Sequence, residues 1–396
     1  MKRLIIILVT VLFATLLNAQ IDSELDEVMQ IRQQLQNRRE LAAKEKSDYA
    51  DYQIAEILID LAYLHIDRKE YTDAIPLLEE LLIFAADGTA GAFSVEAVQV
   101  ELAYILMKAG NQYYDLNDFD TAEKYYSRSL KYFEKLAETD SSNYLLFMEY
   151  ILIQIGNIYH NHRKNYHTAE KFYLRCLPIS EKLVKEHKEP ISNLSVVLRN
   201  IGLNYYELKR YRKAEQYYQR SLPMSEKAAQ ENPDEDLLPL VNLLEDMGRN
   251  YIAQKKYADG IKKFERALQI CEQLVEKNVD LYLRRLAIAN GNLSWGYLYL
   301  KEYSKSETAA NRALELDDSQ TWIKVNLAHA FLFQNRFSEV EELYWKLSQT
   351  IEKDDKTFLQ TILDDFKEFK KAGLIPKKHK GDVEKIKKFL LNKELL

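Results

Sequence analysis

The chain has 396 residues, 47% of them hydrophobic, but only 11 glycines and 7 prolines. Against ordinary shares of about 7% and about 5%, that scarcity argues against turn-rich sheets and for long helices. The formal net charge is −6, which speaks against a nucleic-acid partner, and the sequence holds no P-loop, GxSxG, HExxH or glycine-rich dinucleotide turn, so no familiar catalytic class is signalled.

Residues 1–20 open with Lys2 and Arg3, continue with a largely apolar run from Leu4 to Leu17 and end in Asn18, Ala19 and Gln20. The run is shorter than the ~20 residues a membrane span needs, so the pattern predicts a secretory signal peptide over 1–19, cleaved after Ala19. Leu17 stands where a small residue is preferred, which keeps an uncleaved anchor as the alternative. Cleavage would bring the net charge of the mature chain to −8 by removing Lys2 and Arg3. Residues 20–47 follow, with Ile21, Leu25, Val28, Ile31 and Leu35 at spacings of three and four. That is an amphipathic helix, expected to cover the open end of what comes next.

From residue 48 a pattern builds. The stretch GNQYYDLNDFDTAEKYYSRSL from Gly110 returns as GNIYHNHRKNYHTAEKFYLRCL from Gly156, GLNYYELKRYRKAEQYYQRSL from Gly202 and GRNYIAQKKYADGIKKFERAL from Gly248. The aromatic three residues after each small residue is Tyr113, Tyr159, Tyr205, Tyr251 and Tyr297, a spacing of 46 residues four times running. A second aromatic closes each short polar turn, at Phe119, Tyr166, Tyr211, Tyr257 and Tyr303. Each unit therefore reads as a helix, a tight turn and an antiparallel helix, which buries its apolar face only by stacking on copies of itself. Pro178 and Pro223 fall at one repeat position, and a kink or restart of those second helices is expected.

These residues resemble the tetratricopeptide repeat (TPR) family, whose pattern sets a small residue at repeat position 8, aromatics at 11, 17 and 24, alanine at 20 and a small residue at 27. The second copy supplies Gly110, Tyr113, Phe119, Ala122, Tyr126 and Ser129, and the fourth Gly202, Tyr205, Tyr211, Ala214, Tyr218 and Ser221. A weaker first copy reads Ala62, Tyr71 and Ala74, with His65 in the aromatic place. The last copy, Ala328, Phe331, Phe337, Val340 and Tyr344, follows Ser294 at the standard period of 34. The longer spacing of the other copies is similar to kinesin light chain-like TPR proteins. The resemblance implies an all-α, right-handed superhelical solenoid of about seven hairpins over 48–350. Capping helices are expected over 351–396, where Gly373 and Pro376 end one helix and Val383, Ile386, Phe389 and Leu390 line the last.

In that family the first helices line a concave groove that holds a protein or peptide partner. Carried over position by position, the groove offers Lys108, Asn111, Asn157, Arg199, Asn200 and Arg249, passing to Trp295, Tyr299, Trp322 and Phe333 toward the C-terminal end. The asparagines are expected to bond a peptide backbone through both amide ends. The lysine of a chaperone-type carboxylate clamp is missing, since its places hold Met107 and Ile153. The resemblance thus implies an exported, periplasmic or cell-surface scaffold without catalysis, or alternatively a peptide-responsive regulatory module. No cofactor or metal is expected. His160, His162 and His167 fall in an expected exposed loop, and the first two are at a spacing that points them to different helix faces. Cys176 and Cys271 are expected as buried thiols, two repeats apart.

Overall fold

A computed structural model describes residues 27–139, 141–187, 189–350 and 358–393. The expected signal peptide lies outside the described residues. The described residues are helical throughout, with no strand among them. They fall into two compact units that divide between His187 and Lys188.

In the first unit, a helix over residues 27–45 (α1) sets Val28 and Leu35 against Ile54, Leu58 and Leu61. Three hairpins follow, formed by α2 (Asp48–Asp67) with α3 (Tyr71–Ala86), α4 (Val95–Asp115) with α5 (Phe119–Ala137), and α6 (Ser141–Asn157) with α7 (Tyr166–Glu186). The second unit holds four more: α8 (Ile191–Glu207) with α9 (Tyr211–Glu231), α10 (Pro233–Ala253) with α11 (Tyr257–Lys277), α12 (Val279–Leu300) with α13 (Tyr303–Leu316), and α14 (Thr321–Phe333) with α15 (Phe337–Ser348). Two further helices, α16 (Phe358–Ala372) and α17 (Lys380–Lys393), complete it. Several helices start on a side chain that takes an orphan amide: Ser47 accepts from Ala50 N, Asp118 from Thr121 N and Asn165 from Thr168 N, a contribution of about 1 kcal/mol each.

The small residue of the repeat has a specific neighbour. A Cβ added to Gly110, Gly156, Gly202 or Gly248 would stand 2.6, 2.4, 2.5 and 2.4 Å from ring carbons of Tyr126, Tyr173, Tyr218 and Phe264. These rings are among the most buried in the protein, so each pair clamps a first helix onto its own second helix. Burial of one such ring is worth about 1.5–3 kcal/mol.

The turns share a device too. Lys69, Asn117, Lys164, Lys209, Lys255, Lys301 and Asn335 all have φ between 51° and 68°, the left-handed region that ends a helix. In the fourth hairpin Lys209 N donates to Tyr206 O at 2.8 Å and Arg210 N to Tyr205 O at 2.8 Å. These are the two bonds that close a helix on a left-handed residue. The third hairpin carries one extra residue in its turn, and the structure absorbs it as a single π-helical turn over Ile158–His162, the short form in which π-helix mostly occurs.

Neither proline restarts its helix. Pro178 lies inside α7 and Pro223 inside α9, each an unbroken helix of 21 residues.

Candidate binding face

The first helices of the second unit place a set of charged side chains together. Arg199 on α8 reaches Asp246 on α10, Nε to Oδ2 at 2.7 Å, and Arg249, one turn along α10, bonds the other oxygen of the same carboxylate. Asp246 has no side-chain exposure, whereas Arg249 keeps 40%. Beside them Arg285 on α12 donates to Asn242 Oδ1 at 2.8 Å and pairs with Glu245. Burial raises the Glu245 pKa, opposed by the charges of Arg285 and Arg249. Arg199, Asn242, Arg249, Arg285, Asn292 and Trp322 line a hollow of about 300 Å³ with Glu245 at its wall. Three guanidiniums face two carboxylates, so the hollow carries one positive charge in excess. Such an arrangement can orient an anionic group, because the two acids fix the arginines in place.

The reason the cluster forms here lies in a pairing found elsewhere. In three repeats the residue after the small residue bonds the buried tyrosine of the second helix. Tyr126 Oη donates to Asn111 Oδ1 at 2.7 Å, Tyr173 Oη to Asn157 Oδ1 at 2.8 Å, and Tyr344 Oη meets His329 Nδ1 at 2.7 Å. The fourth repeat has Leu203 in that place, which offers nothing to the Tyr218 hydroxyl. That hydroxyl is buried without a hydrogen-bond partner, and burial, with Asp246 nearby, drives its pKa well above the ordinary range. The fifth repeat has Phe264 in the tyrosine place, so Arg249 is released from any such bond and turns to Asp246.

The residues read from the sequence therefore divide. Arg199 and Arg249 belong to the cluster, with Asn200 half-buried next to Arg199 on α8. Asn111 and Asn157 are committed inside the fold through their carbonyl ends, Asn111 doubly, since Tyr150 Oη also donates to it at 3.0 Å. The expectation of two free amide ends is corrected accordingly. Lys108 lies with its ammonium 5.0 Å from the Tyr104 ring centroid.

Trp295 and Tyr299 form an edge-to-face pair with centroids 4.8 Å apart, and α16 packs on Tyr299. Phe369 packs 5.7 Å from Tyr299, and the Tyr299 hydroxyl donates to Glu368 at 3.4 Å. Phe366 and Phe369 also flank His329, whose Nε2 lies 3.1 Å from Asp365. So α16 is seated on the side the first helices present, while α17 closes against the last hairpin through Val383, Ile386 and Leu390.

Glu245 and Arg285 were missed in the sequence, whereas Asn292 falls at a groove position of the family pattern. Glu245 occupies the same repeat place as Arg199, which is a usable signal. Arg285 lies nine residues before Ser294, in the extension that lengthens the first helix.

The histidine trio does not converge. His160 is buried against Tyr166, with centroids 5.2 Å apart, and His162 stacks on Phe119 at 3.6 Å. The exposed loop expected for them is corrected for His160. Among the described residues one trio of ligand atoms comes within 4.8 Å, His65 with Glu70 and Asp73, and there Arg32 faces the second ring nitrogen at 3.4 Å. Cys176 and Cys271 are both buried free thiols.

Residues 147–227 match the family model described as tetratricopeptide repeat. No curated protein matches the chain in sequence. Among solved structures it is similar to a signal transduction ATPase with numerous domains (STAND) protein with a tetratricopeptide repeat sensor from Pyrococcus horikoshii. The identity there is 17% over 81% of this chain and 46% of that one, with a TM-score of 0.51. It is also similar to BtubC (BKLC) from P. vanneervenii, at 18% identity over 62% and 90% of the two chains and a TM-score of 0.40. A third is aspartyl phosphate phosphatase F from Bacillus subtilis, at 14% identity over 85% and 94% with a TM-score of 0.48. Residues 147–227 thus match tetratricopeptide repeats, and the glycine–aromatic clamps and the seven left-handed turns among the described residues carry the same hairpin pattern along the rest of the fold.

Proposed function

We propose that the protein is an exported scaffold that binds a protein or peptide segment on the face of its first helices and carries out no chemistry itself. The observation that carries this reading is the Arg199, Asp246 and Arg249 cluster with Arg285 beside it. A buried carboxylate that pins two guanidiniums at a partly open hollow has no use as core, and its excess positive charge suits an acidic side chain or terminal carboxylate of the bound segment. Export rests on the character of residues 1–19. Affinity capture from the cell envelope tests both parts: the wild type is expected to retain a partner that Arg249→Ala loses at equal helicity, and the captured bait is expected to have the intact mass of a chain beginning at Gln20. Equal capture by both proteins would place the binding surface elsewhere.

A second reading draws on α16. Because this helix already packs on Tyr299, a regulatory module in which a partner competes with α16 is the alternative. Hydrogen exchange separates the two: partner binding that deprotects α16 favours regulation, and unchanged α16 protection favours the plain scaffold.

A further inference from the structure

The first unit has a cleft of its own, about 430 Å³ in volume, walled by α2, α3, α4 and α6. Its walls are largely apolar: Ile59 and Tyr63 from α2, Leu78 from α3, Val98 from α4 and Tyr144 from α6. One charged group stands well inside it, the half-buried Glu101. Burial alone raises the pKa of that carboxyl, and no hydrogen bond or ion pair to it is found among the described residues. The same charge raises the pKa of Tyr63, second to burial, which places the phenol and the carboxylate as neighbours. No lysine or arginine lines the cleft; the other ionisable wall residues are Glu96 and the two tyrosines.

A carboxylate held in apolar surroundings with no cation is costly unless something supplies the charge. The volume lies in the range of ligand sites, and apolar walls with few convergent polar groups are their usual composition. We infer that this cleft is a binding site for a basic side chain, lysine above all, whose methylene stem lies on Ile59 and on the half-buried Val100 of α4 and whose ammonium meets Glu101. Lysine suits the shape because its stem is apolar over four carbons while its head carries three donors. The Tyr63 hydroxyl, on a side chain 47% exposed, is placed to accept one of them. That the lysine belongs to a bound segment rests on the scaffold reading above; that the cleft takes an alkylammonium does not.

The test uses full-length protein with labelled isoleucine and leucine methyls, titrated with n-pentylammonium and separately with 1-pentanol. The ammonium is expected to shift the methyls of Ile59 and to bind roughly tenfold or more tighter than the alcohol, as a charge-assisted bond in a half-buried site implies. In Glu101→Gln, which keeps the shape and removes an unpaired charge, the preference is expected to fall to about one while the alcohol binds as before. Equal binding of the two probes to wild type, a preference that survives Glu101→Gln, or methyls that do not move would each overturn the inference. The arginine cluster takes no part in this titration, so its outcome and the outcome of partner capture are read separately.

Discussion

One repeat in each unit places a charge at the same position, and the two charges are opposite. Glu101 lies nine residues before Gly110 in the first unit, and Arg285 lies nine residues before Ser294 in the second. Both positions are in the extra turn that separates a 46-residue repeat from the common 34-residue one. The longer first helix thus adds a position that the repeats fill differently: Phe147, Asn193 and Pro239 hold it in the three repeats between Glu101 and Arg285. In the first unit the asparagines Asn111 and Asn157 are tied to tyrosines, and a largely apolar cleft there holds the carboxylate of Glu101 with no cation on its wall. In the second, Leu203 and Phe264 break that tie and an arginine cluster takes its place. Repeat geometry fixes where these side chains are, and the few departures from the repeat decide what they do.

The contrast makes graded predictions for stability. The largest effect is expected from Asp246→Ala, which strands Arg199 and Arg249 together: a loss of about 2–4 kcal/mol by denaturant unfolding, below the range for fully buried pairs because water reaches both guanidiniums. Asn157→Ala in the first unit removes one neutral acceptor from Tyr173 and is expected to cost about 1–2 kcal/mol. An Asp246→Ala no more disruptive than Asn157→Ala would mean that the cluster is not held by its buried acid.

The tyrosines sharpen the comparison further. Tyr173→Phe gives up a made bond and is expected to cost about 1 kcal/mol, whereas Tyr218→Phe removes a hydroxyl with no partner and should stay within about 0.5 kcal/mol of wild type. Matching losses in the two variants would show that Tyr218 has found a partner after all. The smallest effect belongs to the turns. Lys209→Gly relieves a side chain at φ 58° and is expected to raise stability by up to about 1 kcal/mol, read as a higher denaturant midpoint.

Much of this was legible in the sequence, because a repeat states its contacts several times over. The glycines, the aromatics and the second-helix alanines announced the hairpins at a fixed period. The left-handed turn residues were equally available, since a lysine or asparagine stands two residues before the second aromatic in all seven described hairpins. What could not be read is where the chain departs from its own rule. DDFKEF in α16 reads as an ordinary amphipathic cap, and nothing local says that Phe366 and Phe369 will seat on His329 and Tyr299. Asn111 and Asn157 looked free because their tyrosine partners are 15 and 16 residues away on another helix, a pairing that exists only once the hairpin has closed. The arginine cluster was half visible for the same reason: Arg199 and Arg249 occupy groove positions of the family, while Arg285 belongs to the extension the family pattern leaves out.

The central claim is that the second unit's arginines, and not the first unit's asparagines, hold the partner's anionic group. The most direct measurement is the dissociation constant of the captured partner for wild type, Arg249→Ala and Asn157→Ala under one buffer. A central arginine contact is worth about 2 kcal/mol or more, so Arg249→Ala is expected to weaken binding roughly 30-fold or more, with Asn157→Ala within about threefold of wild type. Unchanged affinity in Arg249→Ala, or a loss confined to Asn157→Ala, would contradict the account.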